Sequence, residues 1–264
     1  MKSIKYSGFA LVFLAFFSCE KVIDLEVTDA EPKLVIEAEF DAVKEEVSVK
    51  LSKTVSVFSA DDFPSVNGAS IEIVDETGVA SSLISQGNGM YLLENYTPQY
   101  GSSYTVNVDV GGTLYSSSDF LHSFVPIDSL TQSLEEAALF VEEGYVVSVN
   151  FFDPAGDNFY RANRVLNGDT LSSLGEQFIF DDTFSEGNNQ AVPFFTTRLQ
   201  VGDTMSVQFI SYSEKTFDYY NQLFSIAGES GQSAAPANPE SSWSNEALGH
   251  FAAYGYETDT IIIQ

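Results

Sequence analysis

From Leu34 onward apolar and polar residues alternate with a period of two. Leu34, Ile36, Ala38 and Phe40 alternate with Val35, Glu37 and Glu39, and Val47, Val49 and Leu51 alternate with Ser48 and Lys50. Ile71 and Ile73, then Tyr104, Val106, Val108 and Val110, repeat the pattern against Ser, Thr, Glu, Asn and Asp. Such alternation belongs to strands with one face on a core and one in water. Turn signals separate the runs at Asn67-Gly68, Thr77-Gly78, Gly87-Asn88-Gly89, Gly101 and Gly111-Gly112. About seven short strands at this spacing predict an antiparallel β-sandwich over residues 34–122, with Gly111-Gly112 as a two-residue hairpin loop.

The second half continues in the same manner. Tyr145, Val147, Val149 and Phe151 form one strand, and Met205, Val207 and Phe209 another. Asn167-Gly168 predicts a type I′ hairpin within Val165–Leu171, and Thr258 to Ile263 a last strand. One helix breaks the pattern at about 213–228. Ser213 is its N-cap, Phe217, Tyr220, Phe224 and Ala227 form its apolar stripe, and Gly228 stops it. Residues 228–245 read as a long Ser/Ala/Pro/Asn-rich loop, a length often tied to function. Leu130 to Glu143 reads either as a strand with an acidic loop or as a short helix. The expected fold is mostly β: two antiparallel β-sandwiches, the first immunoglobulin- or transthyretin-like, the second (123–264) larger and carrying one short helix. Ser123–Asp128 forms the joint, where Pro126 biases Val125 to an extended backbone.

The first residues follow a different logic. Lys2 and Lys5 precede an apolar run from Tyr6 to Phe17, which is too short for a bilayer span of about 20 residues and fits a secretory h-region. Ser18-Cys19 follows at once, and Cys19 is the only cysteine in the chain. A small residue before a lone cysteine at that point resembles a bacterial lipobox. Residues 1–18 are therefore expected to be a lipoprotein signal peptide, Cys19 the acylated anchor, and 19–33 an acidic tether. Within it, Val22, Ile23, Leu25 and Val27 could instead pair as an edge strand.

Charge narrows the partners. The chain holds 11 Lys+Arg against 38 Asp+Glu, a net −27, which excludes a nucleic-acid backbone as natural partner. No Lys or Arg occurs between Thr54 and Tyr160, a stretch with 15 acids. That face either keeps the protein soluble or attracts a basic partner surface. Two histidines and one cysteine exclude a Cys/His zinc cage and a disulfide framework. His122 and His250 are the only ordinary general-base candidates, neither lies in a nucleophile motif, and no G-x-S-x-G occurs. Among 38 acids no glycosidase pair can be singled out. No cofactor is implied, with calcium as the one metal worth weighing, because carboxylates and carbonyls are its ligands. Asp153, Asp157 and Asn158, and Asp181, Asp182 and Glu186, concentrate oxygens in two loops; equally, Asp153 and Asn158 would cap turns. Trp243, in a polar loop, either offers its ring to a ligand or folds back to plug the second sandwich.

Several motifs in order carry a family resemblance: C-E-K-V-I-D-L-E (19–26), E-P-K-L-V-I-E (31–37), L-S-K-T (51–54) and V-N-G-A-S-I-E-I (66–73). P-I-D-S-L (126–130), F-x-D-P (151–154), N-F-Y-R (158–161), G-D-T (202–204) and A-L-G-H-F-A-A-Y (247–254) follow. Together they resemble the domain of unknown function 4249 family of Bacteroidota outer-membrane lipoproteins, across essentially the whole mature chain. The family usually has Tyr or a similar ring where this chain has His250. The resemblance implies a non-enzymatic, lipid-anchored accessory or ligand-binding protein at the outer membrane, its cell-surface face favoured. It further implies association with a TonB-dependent transporter in nutrient uptake. The candidate contacts for an unidentified ligand or partner are Trp243, His250 and Tyr254. The alternatives are a structural or adhesive envelope lipoprotein and, less favoured, a glycan-active hydrolase.

Overall fold

The computed structural model describes residues 31–56, 59, 62–137, 142–183, 187–228 and 238–264. The predicted signal peptide, Cys19 and nearly all of the tether, Glu186, and residues 229–237 of the long loop lie outside the described residues. Pro32–Gln264 forms one compact unit.

The expected β architecture is present, and its organising feature is a single nine-stranded sheet that runs under both cores. Its strands are β1 (Leu34–Asp41), β2 (Glu46–Lys53), β5 (Ile84–Gly87), β6 (Met90–Glu94), β11 (Phe159–Leu166), β12 (Asp169–Thr170), β13 (Ile179–Asp181), β15 (Thr204–Tyr212) and β16 (Leu248–Ile262). The order is β12-β11-β15-β16-β1-β2-β6-β5, with β13 also on β11. A four-stranded sheet of β4 (Ala80–Ser82), β3 (Ser70–Val74), β7 (Ser102–Val110) and β8 (Thr113–Leu121) covers one half. A three-stranded sheet of β14 (Asn189–Pro193), β10 (Gly144–Phe152) and β9 (Ser129–Glu135) covers the other. Of the segment 130–143 that read as strand or helix, the part up to Glu135 is strand β9, and residues 138–141 lie outside the described residues.

Register explains why both covers sit on the same face. Ile36, Ala38 and Phe40 pair with Gly249, Phe251 and Ala253, and Phe209, Val207 and Met205 pair with Glu257, Asp259 and Ile261. Side chains of paired residues share a face, so one row of alternate positions continues across the sheet. The first core joins Ile36, Phe40, Val49 and Leu51 to Ile71, Ile73, Val106 and Val108. The second joins Val147, Val149 and Phe151 to Tyr160, Val207, Phe209 and Ile263. Within it Phe209 lies 4.7 Å from Phe151 and 5.0 Å from Tyr160, centroid to centroid.

β16 is much longer than the predicted strand at 258–263. Its first part runs parallel to β1, whereas the other strand pairs of the big sheet are antiparallel. Phe251, Ala252 and Ala253 are buried in succession, because the core lies on one face and the helix on the other. Alternation therefore vanishes where the strand is covered on both sides. Gly249, at φ +104°, permits this approach: a Cβ there would stand 2.1 Å from the Ile36 carbonyl oxygen.

Helix α1 (Glu214–Gly228) forms where the residues predict it. The Thr216 N–H donates to Ser213 Oγ at 3.1 Å, an N-cap bond, and the apolar stripe lies on the sheet face opposite the cores. Phe217 meets Phe159 at 5.0 Å and Tyr220 stacks on Tyr212 at 5.5 Å. The two predicted hairpin turns are also present, with positive φ at Gly111 and Gly112 and at Asn167 and Gly168. No helix among the described residues is long and apolar enough to cross a membrane.

Candidate functional site

Where α1 begins, three segments far apart in sequence meet around the carboxyl group of Asp119 on β8. Asp119 is buried and accepts four hydrogen bonds. Oδ1 takes the Phe120 N–H at 2.9 Å and the Ser213 hydroxyl at 2.5 Å. Oδ2 takes the Thr216 hydroxyl and the Ala253 N–H, both at 2.8 Å. Burial pushes its pKa up, and the four bonds pull against that shift. Two of the donors are fixed backbone amides, one on each oxygen, and Ser213 has only its hydroxyl proton left to give. The carboxyl group is therefore matched as an acceptor on every side, which is the ionised form.

That assignment orders the next link. Thr216 gives its proton to Asp119, so it accepts from His250 Nε2 at 2.8 Å. His250 then carries its proton on Nε2 and leaves Nδ1 as a bare lone pair, which is buried and has no partner. Burial holds the imidazole far below its usual range, at about 3, with the Lys215 charge adding a smaller push in the same direction. Tyr219 stacks on the imidazole with centroids 4.5 Å apart and planes 12° from parallel. The ring is thus neutral, in one tautomer and in one orientation.

A cleft of about 320 Å³ opens beside this stack. Glu214, Lys215, Asp218 and Tyr219 of α1, Glu240 and His250 line it. Lys215 Nζ donates to the Ser118 carbonyl at 2.6 Å, which draws that charge toward β8. A second groove, of about 420 Å³, has Arg161, Asn163 and Gln208 in its wall. Arg161 stands 5.0 Å over the Tyr220 ring, and its Nη2 donates to Gln177 Oε1 at 3.0 Å.

The structure separates the residues singled out in the sequence. His250 lines the first cleft. Tyr254, two positions further along the same sheet face, points its hydroxyl at Glu39 Oε2 across 3.3 Å and meets Tyr212 edge-on at 5.8 Å. Trp243 is neither an exposed ring nor a plug in the second sandwich: it is 6% exposed and belongs to the first core. The strap 241–245 draws it there by bonding along the free edge of β8: the Ser244 N–H donates to the Ser116 carbonyl and the Ser117 hydroxyl to Ser242 Oγ.

The acidic loops are closed by protein donors. Asp153 is buried and accepts from the Tyr160 hydroxyl at 2.5 Å, so F-x-D-P and N-F-Y-R meet through these two side chains. Asp182 Oδ2 accepts from the Asn158 backbone N–H at 3.0 Å and from its side-chain amide at 3.1 Å. Asp181 turns instead to the Thr183 N–H and hydroxyl, and Asp157 is exposed to solvent. Among the described residues no three His, Cys, Asp or Glu side chains are grouped to hold a metal ion. His122 lies outside the cleft, edge-on to Phe120 at 4.6 Å, its pKa lowered by burial against the opposing charge of Asp119. Asp119, Thr216 and Tyr219 escaped the sequence reading. Besides His250, only the Ser213 cap hinted at this place, since Asp119 lies 94 residues before that serine.

The family model for the domain of unknown function DUF4249 matches residues 20–260 of this chain. A search of the curated proteins returns no match.

Proposed function

The chain belongs to the DUF4249 family, and from that premise we propose that it is a lipid-anchored, non-enzymatic binding protein of the outer membrane that serves a TonB-dependent transporter in nutrient uptake. The apolar run ending at Cys19 supports the anchor. The transporter partner rests on the likeness to family members found beside such transporters.

The observation that carries binding over turnover is the order of the groups at Asp119. In a hydrolytic site the base takes a proton from the nucleophile, and an acid orients the base from behind. Here the order is acid, hydroxyl, imidazole: the acid holds the hydroxyl and does not stand behind the imidazole to orient it as a base. Thr216 is a spacer that fixes the imidazole, with no proton to give to it. The same network ties β8, α1 and β16 into one rigid wall beside an open cleft, which suits a preformed binding site.

The test is extraction of the tagged native protein in mild detergent, with mass spectrometry of what copurifies. A stoichiometric TonB-dependent transporter is the expected result. Recovery of the chain alone across salt and detergent conditions overturns the transporter association and leaves an envelope lipoprotein of structural or adhesive type.

A further inference from the structure

We propose that the cleft between α1 and Glu240 takes a small organic cation carrying an ammonium group, held by carboxylates around an aromatic wall. This rests on reading the chain as a binding protein and assigns the class of ligand.

The charge of the wall is the first ground. Glu214, Asp218 and Glu240 face one lysine, Lys215, whose Nζ is already committed to the Ser118 carbonyl. The positive end of the α1 dipole, about half a charge, works against a cation, but three carboxylates outweigh it. The net −27 of the whole chain adds a long-range attraction of the same sign.

The second ground is independent of the acids. His250 lines the same cleft, is 6% exposed, and holds the unpartnered Nδ1. A buried acceptor without a donor is costly, and an N–H of a ligand is what would satisfy it. Because burial keeps the imidazole neutral while Thr216 and Asp119 hold its tautomer, it presents a lone pair without repelling a positive charge. Tyr219, the ring of that wall, adds the attraction of an aromatic face for a cation. A volume of about 320 Å³ suits a small molecule or one extended side chain. The ammonium therefore comes either from a free amine or from a lysine side chain of a peptide.

The experiment titrates the full chain with pentane-1,5-diamine, with N-acetyl-lysine amide and with the neutral isostere pentane-1,5-diol. The readout is the side-chain 15N resonances of His250, assigned with a His122→Gln variant. Both amines are expected to saturate and to move the Nδ1 resonance upfield while Nε2 keeps its proton; the tighter of the two identifies the source. Asp218→Asn with Glu240→Gln should weaken the diamine by about fivefold per carboxylate removed, the upper range for exposed ion pairs. The diol binding as tightly as the diamine, or no response of His250 to either amine at millimolar concentration, overturns the inference. Copurification with a transporter is read separately. Its loss with amine binding intact strikes the transporter association alone, and its persistence without amine binding strikes this inference alone.

Discussion

The indole N–H of Trp243 donates to the backbone carbonyl of Ile36 at 2.9 Å, across 207 residues of chain. Ile36 lies in the centre of β1, and Trp243 reaches it from the strap that closes the edge of β8. One side chain thereby binds the end of the chain to its first described strand. Trp243→Ala should cost about 3–5 kcal/mol of unfolding free energy, because a large ring leaves a closed core. Trp243→Phe keeps most of the apolar area and leaves the carbonyl short of a donor, for a cost of about 1–2 kcal/mol. Urea unfolding of the two variants checks the order. A Trp243→Phe variant as stable as the wild type would mean that the hydrogen bond contributes nothing beyond packing.

Gly249 makes the same junction possible from the backbone side. Its φ of +104° is one that L side chains rarely adopt, and a Cβ would stand 2.1 Å from the Ile36 carbonyl oxygen. Gly249→Ala must separate β1 from the start of β16, and should cost at least about 2 kcal/mol. The comparison is Gly202→Ala, also at positive φ but with open space around its Cβ. Gly202→Ala should lose less in the same urea series, since it strains the backbone without a clash.

Much of this fold was legible because most strands are covered on one side only. β1, β2, β7, β10 and β15 alternate in sequence as they alternate in burial. The helix was legible because Ser213 and the stripe from Phe217 to Phe224 are local signals. The first part of β16 was not, since Phe251 to Ala253 are buried on both faces and carry no period. The shared sheet stayed hidden because strand pairing over two hundred residues leaves no local trace. At the site, His250 drew attention as one of two histidines, but its partners Asp119 and Thr216 are ordinary residues in sequence. Trp243 misled because a polar neighbourhood normally means solvent, whereas here the serines beside it bond to β8.

His250 sets a direction for the pH dependence of stability. An unfolded histidine takes a proton near 6.5, and the folded one resists until about 3. Its folded pKa is depressed, so below 6.5 the unfolded chain binds a proton that the native chain does not. The stability this protects is present above 6.5 and is lost as pH falls toward 3, with a slope approaching about 1.4 kcal/mol per pH unit. Urea unfolding of the wild type and of His250→Gln between pH 4 and 7 isolates the term by difference. The wild type should lose stability more steeply on acidification; parallel curves would place the imidazole in a wetter setting than the one described.

The loops carrying Asp153, Asn158, Asp181 and Asp182 hold one another through their own donors. A chelator should therefore leave the melting temperature of the purified protein unchanged. Asp182→Ala, which deprives the Asn158 amides of their acceptor, should lower stability by about 1–3 kcal/mol with or without calcium present. A chelator-induced fall of several degrees would show that calcium holds these loops after all.

The anchor can be tested apart from the folded body. Acylation of Cys19 would place the chain on a membrane through lipid alone, and a single acyl chain holds only reversibly whereas two or more hold stably. Cys19→Ala removes the acceptor atom at a position outside the described residues. The variant should accumulate unprocessed or leave the membrane fraction, incorporate no labelled palmitate, and unfold at the same urea concentration as the wild type once purified. Membrane association that survives Cys19→Ala and a carbonate wash would transfer the attachment to the protein surface itself, and the lipid anchor in the proposed function would fall with it.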